Sequence, residues 1–414
     1  MKSAVLAKPS LPNVEDDTDR LDLVIVIPAL NEEDSIAAII ERALRARDTI
    51  VATSPVTAVA ITVVSDGSTD RTAEIASRYR DAIKLIVFEQ NQGYGAAIKA
   101  GWAASDAELL AFLDADGTCD PELFASFCRI IQEEQADIVL GSRLNANSQM
   151  PLIRRLGNEV FASILTAFSS KVVRDTASGM RVVRRSSLPE LLPLPDGLHF
   201  TPAMSARALL SGDMRIVEVP MPYAERVGES KLKIGKDGVR FLAAIIDAAF
   251  LFRPSRPLAL LGLLSLSVAT GLMIAPVVQY LQYRSVVEWM IYRLIVSDLL
   301  IASGVLLLCA SYLSARVVSL TLGLAQRGRN HRLAAAFFSS KFFWLVPGAL
   351  VLVGGGLVLH SFLTLVQTGA IYAHWSRFIA MSICCEVALA LVVTRLMDYT
   401  LGLIAAQLKF RDSS

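Results

Sequence analysis

The stretch Leu109-Leu110-Ala111-Phe112-Leu113-Asp114-Ala115-Asp116-Gly117 decides how the first half of the chain folds. Five apolar residues ending at a turn signal read as a short strand buried on both faces. The run then stops at two carboxylates separated by one small residue. Period-two geometry sends Asp114 and Asp116 to the same side of the emerging strand end. Carboxylates that close repel unless a cation lies between them. A hard divalent ion such as Mg2+ or Mn2+ takes one or two carboxylates together with the phosphates of a bound nucleotide. By itself an Asp-x-Asp triplet is as readily a solvated acidic loop, so its neighbours along the chain must discriminate.

Working outward, strands and helices alternate. Leu23 to Ile27 is a β-branched run that stops at Pro28-Ala29-Leu30-Asn31-Glu32-Glu33. Pro28 blocks further pairing, and Asn31 is a candidate cap for a helix over Glu32 to Arg47. A second strand, Val59 to Val64, ends in Ser65-Asp66-Gly67-Ser68-Thr69-Asp70, where Gly67 permits a tight turn before a helix over Arg71 to Arg80. A third strand, Lys84 to Phe88, leads through the glycine-punctuated Asn91-Gln92-Gly93-Tyr94-Gly95 into a helix ending near Ala104. The Asp-bearing strand is fourth, a helix begins after Pro121, and Asp137 to Leu140 is fifth. Short links between alternating elements predict a parallel sheet with helices on both faces. Such sheets bind ligands beyond the strand carboxyl ends, which here carry Glu32, Asp66, and Asp114 with Asp116. No Gly-x-Gly-x-x-Gly follows the first strand and no Walker P-loop occurs, so hydride transfer and ATP hydrolysis lack their usual signatures.

Composition divides the chain. Of 414 residues, 53% are hydrophobic, and the mean hydropathy of +0.49 exceeds that of an ordinary soluble protein. The excess lies after about residue 255. Net charge of +1 argues against nucleic acid as a partner. Cys119, Cys128, Cys309, Cys384 and Cys385 have no metal-ligand spacing and read as reduced apolar residues. Residues 1–20 are polar and expected to be disordered and cytosolic, without a signal peptide.

Residues 232–256 mix Lys233, Lys236, Arg240 and Arg253 with an apolar helical face, as expected of an interfacial helix on an anionic leaflet. Four apolar stretches follow, near 258–281, 291–313, 342–366 and 378–404, giving a membrane domain over 257–405 and a tail over 406–414. Arg316, Arg327, Arg329, Arg332 and Lys341 crowd the second link. The positive-inside rule then places that link, the first domain and both termini in the cytosol of an inner-membrane, multi-pass protein.

Ile-Pro-Ala-Leu-Asn-Glu-Glu, Ser-Asp-Gly-Ser-Thr-Asp, Leu-Asp-Ala-Asp and Gly141-Ser142-Arg143 occur in order at the strand ends. As an ordered set they resemble the family 2 glycosyltransferases of GT-A fold. Asp175 with Ser178-Gly179-Met180-Arg181, and Glu218-Val219-Pro220 leading to Arg226 and Lys231, are similar to the branch that serves dolichyl and polyprenyl phosphates. The resemblance covers roughly residues 21 to 240. It implies a GT-A domain over 21–231, a nucleotide-sugar donor, a polyprenyl phosphate acceptor at a lipid bilayer, and inversion at the anomeric carbon.

It further implies that Pro28, Ala29, Asn31, Glu32, Asp66 and Ala115 hold the nucleotide, and that Asp114 and Asp116 hold Mg2+ or Mn2+. Thr118 stands where relatives often carry Gln and is the candidate third ligand, directly or through water. Arg143, Arg226 and Lys231 are candidates for the donor diphosphate and acceptor phosphate, with Arg154 and Arg155 either joining them or lying as juxtamembrane charge. Asp175 orients a sugar hydroxyl or an Arg, or else pairs with Arg181. Glu33 is assigned to the helix N-terminus. Two rivals stay in view: a processive polysaccharide synthase, whose Gln-x-x-Arg-Trp segment is missing here, and a non-catalytic sugar-nucleotide-binding scaffold or flippase. Oligomeric state is left open.

Overall fold

The computed structural model describes residues 21–144, 150–169, 172–224, 226, 231, 233–324, 329–370 and 374–413. The N-terminal segment expected to be disordered, and most of the stretch between Arg226 and Lys231, lie outside them. The chain divides into two compact units, with the boundary between Ile245 and Ile246.

Among the described residues the first unit holds seven strands: β1 (Leu21–Ala29), β2 (Val56–Asp66), β3 (Lys84–Phe88), β4 (Leu109–Leu113), β5 (Ile138–Ser142), β6 (Met180–Arg184) and β7 (Ile216–Pro220). Its helices are α1 (Ile36–Thr53), α2 (Thr72–Ser77), α3 (Tyr94–Ala103), α4 (Phe124–Glu133), α5 (Leu152–Phe168), α6 (Leu188–Leu191), α7 (Phe200–Ser211) and the first part of α8 (Ile234–Phe252). All strands form one sheet in the order β3-β2-β1-β4-β6-β5-β7.

Alternation along the central strands builds two cores. Leu23, Ile25 and Ile27 of β1 with Leu109, Ala111 and Leu113 of β4 enter one layer. Val24, Val26, Leu110 and Phe112 enter the other. That second layer carries an aromatic cluster in which Phe112 meets Trp102 and Phe200 at ring separations of 6.1 and 6.0 Å. Trp102 Nε1 donates to the Ala111 carbonyl, so the largest buried ring is fixed to the strand that ends in Asp114.

The expectation of a parallel sheet of five strands requires correction. Strand β6 runs antiparallel to both β4 and β5. It and β7 were not read from the sequence, although at five residues each they match β3, β4 and β5 in length and carry the β-branched pairs Val182-Val183 and Ile216-Val217. The first helix starts at Ile36 rather than Glu32, and Asn31 is no cap. Its φ is +50°, and its Oδ1 instead accepts from the Thr69 amide at 2.8 Å, tying the first two strand ends together.

The second unit is helical, with the rest of α8, then α9 (Ser255–Tyr283), α10 (Ile291–Thr321), α11 (Arg329–Ser339), α12 (Leu345–Thr368) and α13 (Ser376–Ser413). Four of these helices, α9, α10, α12 and α13, are long and apolar enough to cross a membrane. Close packing of α9 on α10 uses glycine: a Cβ on Gly262 would stand 2.9 Å from the Gly304 carbonyl. Asp398 is held between α10 and α13 by Tyr312 Oη at 2.9 Å and Arg316 Nε at 3.0 Å, with Arg395 at 3.5 Å. Two expectations shift here. The basic link contains a helix, α11, and α13 continues through most of the expected tail.

Candidate active site

The carboxyl ends of β1, β2 and β4 open on a cavity of about 460 Å3 within the first unit. Of the residues singled out in the sequence, Pro28, Ala29, Glu32, Asp66, Asp114, Ala115, Asp116, Arg143, Arg226 and Lys231 line it. Asn31, Thr118 and Asp175 do not; each stands one layer behind and holds a residue that does.

Asp114 continues the parity of Leu110 and Phe112, so its side chain leaves β4 on the aromatic side. There Tyr94 Oη donates to its Oδ1 at 2.6 Å. A Cβ on Gly179 would lie 1.8 Å from Asp114 Oδ2, so only glycine leaves room for this carboxylate. Burial and the like charge of Asp116 push the Asp114 carboxyl up to about 7. Asp116 is turned differently: Thr118 gives it both a backbone N–H and a hydroxyl hydrogen bond, at 3.1 and 2.7 Å to Oδ1. Thr118, the candidate third metal ligand, thus gives its hydroxyl proton to Asp116 and aims that carboxylate from behind the cavity wall.

Arg226 reaches back over this rim, with Nη2 2.9 Å from Glu32 Oε1 and Nη1 3.3 Å from Asp116 Oδ2. Lys231 Nζ donates to the Asn31 carbonyl at 2.9 Å. Burial raises the Glu32 carboxyl against the lowering effect of these two cations. Glu33 faces outward and accepts from Arg71 Nε at 3.0 Å. Asp66 uses both oxygens on the amides of Gln92 and Gly93, at 2.7 and 2.9 Å. Its visible work is to fold the segment that leads into Tyr94.

Arg143 follows β5. Its Nε and Nη2 donate to the two oxygens of Asp175 at 2.8 Å each, its amide donates at 2.9 Å, and its guanidinium lies 5.6 Å from the Tyr223 ring centre. Burial alone would raise the Asp175 carboxyl, but Arg143 outweighs it and holds it below the usual range. Of the alternatives for Asp175, the arrangement is that of an Arg orienter. Arg181 instead donates to the carbonyls of Ser178 and Thr176 and to Ser205 Oγ.

The donor set fits a hard divalent cation. Two carboxylates face one cavity, one of them with its proton affinity raised by the other, and a guanidinium already stands beside Asp116. Met150, Ile153 and Phe161 on the α5 side and Phe241 of α8 give the cavity apolar lining, with Asn158 and Arg240 among them. Phe161 and Phe241 meet at 5.9 Å. Leu152, Ile153, Leu156 and Val160 on α5, and Val239 and Leu242 on α8, are exposed. The amphipathic α5 was not read from the sequence, although its i, i+1, i+4 apolar spacing was there to find. Also missed were Tyr94, flanked by Gly93 and Gly95, and Asn158, Gly179 and Tyr223 on the cavity wall. Arg155 lies outside the cavity and pairs with Glu159 at 3.2 Å.

The model for glycosyl transferase family 2 matches residues 24–192. A dolichyl-phosphate hexose transferase of Haloferax volcanii is 34% identical over 215 residues, which span 51% of this chain and 86% of that protein. A low-salt glycan biosynthesis hexosyltransferase of the same organism is 32% identical over 254 residues, 60% of this chain and 59% of its own. A solved glucosyl-3-phosphoglycerate synthase from Mycobacterium tuberculosis, in complex with Mn2+, UDP-glucose and phosphoglyceric acid, is 20% identical. It covers 55% of this chain and 79% of its own, with a TM-score of 0.44.

Proposed function

The chain belongs to glycosyl transferase family 2, and on that premise we propose that it moves a hexose from a nucleotide sugar to a polyprenyl monophosphate. The observation that carries the reading is a single cavity with two chemistries. The strand ends bring Glu32, Asp66, Asp114, Asp116 and Arg226 to it, and α5 and α8 bring Ile153, Phe161 and Phe241 together with Arg240, on helices that expose apolar side chains. A charged donor and a lipid acceptor need both kinds of lining.

Asp114 and Asp116 would hold Mg2+ or Mn2+, which when bound supplies charge neutralisation for the departing nucleoside diphosphate. Arg226 and Lys231, anchored on Glu32 and Asn31, are the cations for the donor. Arg143, held by Asp175 and backed by Tyr223, is the cation that takes the acceptor phosphate. That phosphate has a second pKa near 6, so at neutral pH it is largely a dianion and needs no protein base. One of its oxygens attacks the anomeric carbon as the diphosphate leaves from the opposite face, inverting that centre. Catalysis then consists of alignment and preorganised charge.

The exposed apolar faces of α5 and α8 suit a site lying against a lipid bilayer. The Arg-rich link containing α11 argues for a cytosolic position of this site and of both termini in the inner membrane. Incubating the full chain in membranes with polyprenyl phosphate and a panel of radiolabelled nucleotide sugars tests the reading. Organic-extractable, mild-acid-labile label that requires divalent metal and is lost in Asp116→Ala is the expected result. Label in a lipid-insoluble polymer would point to a synthase, and binding of nucleotide without transfer to a scaffold.

A further inference from the structure

We infer that Glu218 is a positioning residue for Arg143, acting through the backbone of residues 174–175; the inference rests on the reading of Arg143 as the acceptor-phosphate cation. Glu218 lies on β7, the edge strand, in parallel register with Leu140, three residues before Arg143. It is not among the residues that line the cavity, and its carboxylate accepts from the amide of Arg174 at 2.9 and 3.0 Å and from that of Asp175 at 2.8 Å. Asp175 in turn makes three contacts of 2.8 to 2.9 Å with Arg143. The sequence Glu218 carboxylate, Asp175 amide, Asp175 carboxylate, Arg143 guanidinium is thus continuous: charge-assisted hydrogen bonds at both ends, joined by the short Asp175 side chain, which its three contacts with Arg143 hold in one orientation.

The segment is gripped on its other side as well. Asn158 accepts from the Thr176 amide at 3.1 Å and donates to the Arg174 carbonyl at 2.7 Å. Arg181 and Ser205 both donate to the Thr176 carbonyl. These contacts fix residues 174 and 176, whereas Glu218 holds the amide of Asp175 itself. Charge points the same way. Arg181 is fully buried and Arg143 nearly so, and Asp175 with Glu218 supplies two negative charges against their two, so the guanidinium of Arg143 is held by a neutral cluster as well as by packing. Both amides share Oε1, and Oε2 accepts a second time from Arg174; a carboxamide at Glu218 removes the negative charge and turns its own N–H group against the Arg174 amide at the Oε2 position. The Asp175 peptide would then turn, and the guanidinium with it. An Arg displaced by about 1 Å from an aligned phosphate loses much of its effect.

The test uses the full-length protein in nanodiscs. Glu218→Gln is expected to raise KM for polyprenyl phosphate about tenfold and leave KM for the nucleotide sugar within about twofold. The shorter Glu218→Asp should fall between the two and provides a second variant if the amide folds poorly. In Arg143→Gln, adding Glu218→Gln should cause no further loss, because the positioned group is already gone. An unchanged acceptor KM, an equal loss of nucleotide affinity, or multiplying effects in the double variant would each overturn the inference. Hydrogen exchange at the Asp175 amide needs no turnover. Faster exchange in Glu218→Gln alongside a wild type that transfers no sugar would leave the positioning role standing and refute the acceptor reading; unchanged exchange would refute the positioning role.

Discussion

Arg226 holds Glu32 and Asp116 at the same time, spanning from a β1 loop to the β4 turn with contacts of 2.9 and 3.3 Å. A guanidinium in that position is both a counterion for the carboxylate rim and a competitor for any cation that Asp116 binds. Replacing it by a neutral residue frees one function and removes another. Arg226→Gln is expected to bind Mn2+ more tightly than wild type in the absence of nucleotide, measured by electron paramagnetic resonance. The same variant should lose about tenfold or more in kcat/KM for the nucleotide sugar, the value of one charge-assisted contact. Weaker metal binding by the variant would show that Arg226 does not compete.

Asp114 carries a stability cost that pH exposes. Its native carboxyl titrates at about 7, raised by burial and by Asp116, against an unfolded value near 4. The native state therefore holds a proton that the unfolded chain has lost between these values, so stability falls as pH rises through that window and levels off above it. Asp114→Asn keeps an acceptor for Tyr94 and removes the charge. Its metal-free unfolding free energy should match or fall below wild type at pH 4 and exceed it at pH 8, by a margin on the order of 1–4 kcal/mol. Transfer activity should be abolished. An equal offset at both pH values would place the cause elsewhere.

Gly179 leaves room for Asp114 and for nothing else. A methyl group there would overlap Asp114 Oδ2 at 1.8 Å. Gly179→Ala should lose roughly 100-fold or more in kcat, with a stability loss of about 1–3 kcal/mol typical of overpacking. Gly271→Ala, with nothing within 4 Å of its Cβ position, is the matched control and should leave transfer unchanged.

The apolar lining of the cavity predicts a dependence on acceptor chain length. Ile153 is part of it and is 58% exposed, so a carboxylate at this position is tolerated by the fold. Ile153→Asp should raise KM for a long polyprenyl phosphate by about tenfold while a short-chain phosphate is used nearly as well as by wild type. A loss independent of chain length would remove α5 from the acceptor path.

Much of the site was legible because it sits where chain direction changes. A buried strand has few residue types to choose from, so the polar residues at its carboxyl end stand out, and Pro28, Glu32, Asp66, Asp114 and Asp116 all reach the cavity. Residues that touch it from across the sheet were harder to rank. Tyr94 and Gly179 carry no distinguishing periodicity, and their meaning depends on two strand ends meeting. The apolar helices of the second unit were plain for the opposite reason: about 20 apolar residues in succession have few other solutions.

The sequence by itself determined the strand-and-helix alternation, the acidic rim and the four long apolar helices, since each follows from local spacing and composition. Tertiary structure decided which of those residues face the cavity and which stand behind it. Thr118 reads as a candidate metal ligand and Asp175 as an orienter of a sugar hydroxyl or an Arg in one dimension; in the fold Thr118 donates to Asp116 and Asp175 accepts from Arg143. Antiparallel β6, inserted between β4 and β5, brings Gly179 onto Asp114. The register of β7 on β5 places Glu218 under the Arg143 turn. A carboxylate's partners are set by neighbours distant in sequence, and only the folded chain supplies them.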